Sequence, residues 1–500
     1  MSRLSRIEAL VDRSGVTAVI EEEMPSGGRP RELAVRTVLI GILLSLSDDR
    51  PAHLTRVQRA LSGLCAHDQL RLGVLGLRRG RRHLLTYRQL ERTFSVIDAA
   101  LGDEALSSVI DALLEASIPE RYKDASRSLA IDWTDYESFS RPKARGGGPP
   151  ADPDASFGRR HSEAPGIDSE IFFGYYGQVA TMVRDERGAT VPELVRRIEL
   201  TSCSVDPAAA IVEVLARMVA GGIGLSDVLC DCGYSHRVAE TFALPLRLLG
   251  ASLVFDLHPH DRGEKGTFAG AVICNGNLYC PATPKALLSL GPLQRGAGEA
   301  EQAAHDASCA ELARYKLGVS SSEDGDGHRR VACPALLGKL RCPLRETSMS
   351  LGFNRPTVLS PPEDELPLCC VQKTVTVPPS VGAKTRQRHD YPSAAHRRSY
   401  GRRTASERSF ASGKDPAGIA MRRGWCRMMG RSKNKLMYAL AFVASNLALV
   451  ETFEANEQDE QARATAGLAP RARRRQRTTL AALVAQPAAG TTDLGPAKIS

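Results

Sequence analysis

What most constrains this chain is an alternation of strand-like and helix-like segments between residues 126 and 257. The apolar run SLAIDW (128–133) reads as a strand closing on Asp132, and the aromatic, β-branched run EIFFGYYGQVATMV (170–183) as a second; residues 194–203 supply a third. Residues 207–220 form a helix, with Pro207 suited to its first turn and Gly221-Gly222 to its stop. A strand (227–231), a helix (237–249) and a strand (252–257) follow. Such an order builds an α/β fold, a mixed sheet flanked by helices. Asp132 and Asp231 then stand at strand ends on the sheet's carboxyl edge, where open α/β sheets bind ligands.

The flanking regions have different patterns. Residues 1–123 read as a helical N-terminal domain with helices at 31–46, 51–64 and 85–101 and a basic link LRRGRRH (77–83). Such a bundle suits DNA-end binding or oligomerisation. The first part of the α/β core spans 124–261. Residues 262–390 are rich in Cys, Gly and Pro, with short β-like pieces at 271–273 and 371–377 and a loop at 320–330, and read as an insertion. Helices return near His396, so 391–456 is the C-terminal part of the core, and 457–500, with RARRRQR at 471–477, reads as a basic, disordered tail.

The net charge is +9 and the pI about 9.0, but the charge is uneven: residues 384–435 carry more excess positive charge than the whole chain. That is the footprint of a phosphate-backbone binder, and double-stranded DNA is the expected partner. No secretory signal is visible and the apolar run 436–450 is short for a bilayer, so a cytoplasmic protein without membrane contact is expected. The twelve cysteines are then thiols or metal ligands rather than disulfides.

Within YGRRTASERSFASGK (400–414), Tyr400, Arg403, Glu407 and Lys414 fall on one stripe at about 100° per residue, as a single helix would place them. On its own this is an ordinary solvated face. Two strand-end Asp residues upstream change its meaning. Brought together, Asp132, Asp231 and Glu407 would repel one another, and bound Mg²⁺ or Mn²⁺, which takes oxygen ligands and leaves room for phosphate, resolves the repulsion.

The spacing Tyr400-x2-Arg403-x3-Glu407-x6-Lys414, with LAIDWTDYESF around Asp132 and VLCDCGYS around Asp231, resembles the Tyr-Arg-Glu-Lys branch of the DDE transposases of bacterial insertion sequences. The resemblance covers about 126–454 and extends to the helical N-terminal region. It implies a ribonuclease H-like fold, Asp132, Asp231 and Glu407 as catalytic residues holding two Mg²⁺ or Mn²⁺ ions, and Tyr400, Arg403 and Lys414 contacting phosphates of the transposon end. Arg408, Arg422, Arg423 and Trp425 join that DNA-binding set. It also implies cleavage at transposon ends and strand transfer into target DNA, a homodimer or higher synaptic assembly, and a bacterial, nucleoid-associated location. A two-metal nuclease or resolvase of the same fold, or a decayed copy that only binds DNA, is the alternative.

Several residues compete for these roles. Asp227 and Asp256 could replace Asp231 by position, although the Gly-Tyr after Asp231 favours it; Asp135 and Glu137 read as loop residues. His258 and His260 could aid a metal site but read more simply as turn residues. Cys274, Cys280, Cys333 and Cys342 could form a four-thiolate structural Zn²⁺ site, with buried thiols the plainer account. Trp425 could stack on a base or pack in the core.

Overall fold

The computed structural model describes residues 2–27, 33–48, 51–78, 81–143, 147–160, 170–294, 296–361, 366–414 and 421–471. The chain divides into a compact unit, Met1–Val450, and a second, Glu451–Ser500.

The first unit is mixed α/β, built on a six-stranded sheet. We number its strands β1 (Ser128–Glu137), β2 (Ser156–Arg160), β3 (Glu170–Val183), β4 (Val195–Ser202), β5 (Asp227–Cys230) and β6 (Ser252–Phe255). β3 is long enough to carry three partners: β1 along one edge, β4 and β2 in succession along the other, all antiparallel. β5 then pairs parallel with β1, and β6 parallel with β5. The helix α1 (Pro207–Ala220) supplies the crossover into β5, started by the Asp206 side chain, which accepts from Ala208 N–H at 3.2 Å. Strand β1 runs four residues past the apolar run, so Asp135 and Glu137 lie in the strand rather than a loop, both paired to Arg160 of β2. The β2 strand itself has no counterpart in the sequence reading.

One face of the sheet is covered by α5 (Thr404–Lys414) and by the first part of α6 (Arg431–Thr465). Thr181 of β3 exchanges a 3.0 Å hydrogen bond with Ser409 of α5, and Gly177, on the same side of β3, lies against Tyr438 of α6. A Cβ at Gly177 would sit 2.7 Å from the Tyr438 hydroxyl, which is why a glycine stands in mid-strand. Residues Leu436–Ala444 are buried in one core with Tyr136, Tyr175 and Val179 of the sheet and with the N-terminal helices. By length and composition Arg431–Thr465 is the one described helix able to cross a membrane; burial of this apolar stretch in the core accounts for that composition.

The N-terminal helices include Val35–Leu46, Leu54–Ser62 and Tyr87–Ala100, close to the expected ones. The basic link forms a hairpin, Leu75–Arg78 with Arg81–Leu84, rather than a loop. This region shares its core with the sheet instead of closing its own. The insertion holds two three-stranded sheets and the helix Glu299–Tyr315, which the sequence reading lacked; of the β piece expected at 371–377, Val371 ends the helix Leu368–Val371 and the strand covers Val375–Val377. In the second unit α6 continues to Thr465, beyond the expected end near 456, and Arg463 turns its guanidinium to the Ala469 carbonyl at 2.8 Å. Most of the basic cluster at 471–477 lies outside the described residues.

Candidate active site

Asp132 faces the helix-covered side of the sheet. Alternation puts it on the same side as Ala130, which packs with Ala405 of α5 and with Tyr400. The parallel register Leu129↔Val228 and Ala130↔Leu229, continued two residues, sets Asp231 beside Asp132. Asp231 follows β5 directly and caps α2 (Cys232–Ser235): its Oδ1 accepts from Gly233 N–H at 3.0 Å and Tyr234 N–H at 3.3 Å. A Cβ at Gly233 would lie 2.5 Å from the Trp133 ring. The Tyr234 ring, fully buried, stands edge-on to Trp133 with centroids 4.3 Å apart. The Gly-Tyr pair therefore seats the Asp231 turn against the residue after Asp132.

Glu407 arrives from α5, on the side of the chain remote in sequence. The expected single helix over 400–414 is divided: α4 (Ala394–Tyr400), a 3₁₀ turn at Gly401–Arg403, then α5. Arg403, at the end of that turn, joins the acids. One guanidinium nitrogen lies 3.5 Å from Asp132 Oδ2, and another is bonded to Glu407. Burial first, then the charge of Asp231, push Asp132 up to about 7; Glu407 adds to this, while Arg403 and the Trp133 N–H, 2.9 Å from Oδ1, oppose it. Burial works against the charge on Arg403, but Tyr400, Glu407, Asp132 and Asp231 outweigh it and hold the group above its ordinary value. The four residues form one electrostatic centre. Their carboxylates are not drawn to a point: among the described residues, no three of their oxygens lie within 4.8 Å of one another. Two ions about 3.5–4 Å apart do not require that, since the outer ligands need not reach each other.

The rival acids are otherwise committed. Asp227, at the start of β5, is buried between Arg402 at 2.7 Å and Arg388 at 2.6 Å. Asp256, just past β6, accepts from the Tyr391 hydroxyl at 2.8 Å and faces Arg262 at 3.5 Å. Neither arginine of the Asp227 pair stood out in the sequence; the buried strand-start Asp227 was the signal for them.

The expected DNA-contact set separates. Tyr400 is half-buried: it packs against the sheet and stacks on His396, with centroids 5.7 Å apart. Arg403 is engaged with carboxylates. Arg408 is exposed but paired to Glu193 at 2.7 Å. Arg422 and Arg423 are exposed. Lys414 closes α5, and its side chain lies outside the described part. Trp425 is corrected from base stacking to core: it is 4% exposed and packs edge-on to Tyr136. Much of the excess charge in 384–435 is also paired with acids of the same chain, in partly exposed pairs such as Arg397–Asp306, Arg431–Asp103 and Lys433–Asp98 and in the buried Lys435–Glu199.

The cysteine quartet also changes. Cys274 is held apart by donating its thiol to the Leu288 carbonyl at 3.2 Å. Cys280, Cys333 and Cys342 instead line one small cavity with Cys370. Zinc held by thiolates at about 2.3 Å needs sulfurs under about 4 Å apart; no three described sulfurs fall within 4.8 Å. As arranged, these are buried thiols and not an assembled zinc site.

Compared with known proteins, the chain matches no family model and no curated protein.

Proposed function

We propose that the chain is a DNA transposase of ribonuclease H-like fold that cuts at transposon ends and joins them to target DNA by two-metal phosphoryl transfer. The observation that carries the reading is that the parallel register sets Asp231 beside Asp132 while Arg403 links Asp132 to Glu407 of a helix distant in sequence. The strand order β4-β3-β1-β5-β6, the first three antiparallel and the last two parallel to β1, supports the fold assignment.

The donor set fits Mg²⁺ or Mn²⁺: it is all carboxylate, and burial together with the neighbouring charge of Asp231 pushes Asp132 up to about 7. Two such ions supply Lewis-acid activation of the attacking oxygen and stabilisation of the leaving oxygen. Asp132, Asp231 and Glu407 would hold them. The N–H groups of Trp133, Gly233 and Tyr234 fix one oxygen of each Asp side chain. Arg403, which lies between Asp132 and Glu407, would be available to offer a bidentate fork to phosphate if those carboxylates held a cation. Arg422, Arg423 and Lys414 contribute backbone contacts to double-stranded DNA, and two ends are paired by a homodimer or higher assembly in the bacterial cytoplasm.

Glu407→Gln tests the reading. End cleavage and strand transfer in Mg²⁺ should disappear while end binding by gel shift persists; retained Mg²⁺-dependent cleavage would remove Glu407 from the site. A pre-cut end that is never joined to target DNA would make the protein a nuclease of the same fold.

A further inference from the structure

Beside the acidic centre, and not part of it, a second constellation has donors of a different kind. His236 follows α2, five residues after Asp231. His258 caps the 3₁₀ turn Pro259–Asp261 that follows β6, and Asp261 closes that turn. One donor atom from each of the three lies within 4.8 Å of the others, the one such group among the described residues. His236 Nδ1 is 3.3 Å from Asp261 Oδ2, and the His236 and His258 rings lie 4.2 Å apart at 35°. The other carboxylate oxygen, Oδ1, accepts from Lys384 Nζ at 2.7 Å, which turns Oδ2 toward the imidazoles.

A plain His–Asp pair explains one of these contacts. It does not explain why a second imidazole is brought against the first, where two charged rings would repel.

We propose that His236, His258 and Asp261 bind one borderline transition-metal ion of the Zn²⁺, Co²⁺ or Ni²⁺ type, through two imidazole nitrogens and one carboxylate oxygen. Nitrogen donors select against Mg²⁺, so the site is chemically distinct from the all-oxygen centre at Asp132. Three protein ligands leave a fourth tetrahedral position to water. Closing donors from within 4.8 Å to the about 3.3 Å of an assembled site takes a small rotation of His236, whose side chain is 52% exposed. Lys384 is a positioning residue, holding the oxygen that does not bind the ion. The ion joins the turn that carries Asp231 to the beginning of the insertion, and Lys384 adds a contact from near its end. It fastens both ends of the insertion to the edge of the sheet.

Co²⁺ titration of the full-length, reduced protein in excess Mg²⁺ tests this, because cobalt on nitrogen and oxygen gives visible d–d bands without the near-ultraviolet charge-transfer band of thiolate sites. One d–d-active Co²⁺ per chain is expected. Its affinity should fall at least about 100-fold in His258→Ala and in His236→Gln and about 10-fold in Lys384→Ala, and should be unchanged in Cys333→Ser. Zn²⁺ should raise the melting temperature of the wild type and of Cys333→Ser but not of His236→Gln, a readout that stands if His258→Ala fails to fold. Bands that survive in His236→Gln, or a wild type that gives only the thiolate signature, would overturn the proposal.

Discussion

Replacing Asp132 with Asn in the metal-free protein removes the charge that burial and Asp231 penalise, while keeping the shape of the side chain. An acid whose folded pKa is raised holds more protons folded than unfolded. Stability therefore falls as pH rises from about 4, where the unfolded carboxyl titrates, through about 7, and is level above. With 3.8 as the ordinary value and about 7 in the folded state, the shift is about 3 units. Linkage then costs the wild type about 1.5 kcal/mol by about pH 5 and about 4 kcal/mol by about pH 8.5. The attraction of Arg403, 3.5 Å from Asp132, is already inside that net figure.

The Asp132→Asn variant carries no such slope. Its stability relative to the wild type should grow by about 2.5 kcal/mol between about pH 5 and about pH 8.5. Urea denaturation in EDTA at the two pH values, followed by circular dichroism, measures the difference directly. Curves for the two proteins that run parallel with pH, or a wild type that gains on the variant as pH rises, would refute a buried Asp132 coupled to Asp231. They would remove with it the electrostatic case for a cation site.

Other consequences are more local. Gly177→Ala should cost about 1–3 kcal/mol by overpacking, because the new Cβ would meet the Tyr438 hydroxyl at 2.7 Å; adding Tyr438→Phe should recover part of that in thermal melts. Asp227→Asn should lower stability by about 3–5 kcal/mol in urea titrations, since it leaves the buried Arg402 without its counter-charge. In DNA binding, Arg422→Ala and Arg423→Ala should each reduce the slope of log affinity against log salt by about 1, whereas Trp425→Phe should leave the slope alone and lower the melting temperature.

What was legible in the sequence followed from local periodicity and from carboxylates at strand ends. The β-branched and aromatic residues of 170–183 mark β3 to the residue, and Pro207 with Gly221-Gly222 brackets α1. The alternation of strands and helices gave the α/β class. What was not legible depends on partners distant in the chain. Nothing local in SFGRR shows that β2 will find an unused stretch of β3 edge, or that Asp135 and Glu137 will extend β1 because Arg160 waits opposite them. Charge counting failed for a similar reason. The excess of Arg and Lys in 384–435 looks like one exposed surface in sequence, but Arg388, Arg402 and Lys435 are counter-ions to acids on β4 and β5 or the loop before β4. Trp425 and Cys370 likewise acquire their neighbours only in three dimensions.

Arg403 shows how the same limit applies within the site. Helical spacing alone puts it on one stripe with Tyr400 and Glu407, and a stripe has two possible sides. Across the 3₁₀ turn at Gly401–Arg403 the two stay in contact, the Arg403 guanidinium 5.6 Å from the Tyr400 ring centroid, while Tyr400 packs on the sheet and Arg403 reaches the carboxylates. Three acids against one guanidinium leave a net negative charge in a partly dry pocket, and Asp132 answers it by keeping a proton to about pH 7. A cation that replaced the proton would also weaken the hold on Arg403, since both act on the same oxygens of Asp132 and Glu407. On the reading proposed above, assembly of a metal centre and release of Arg403 toward phosphate would be one event, and Arg403 would act there without being a ligand.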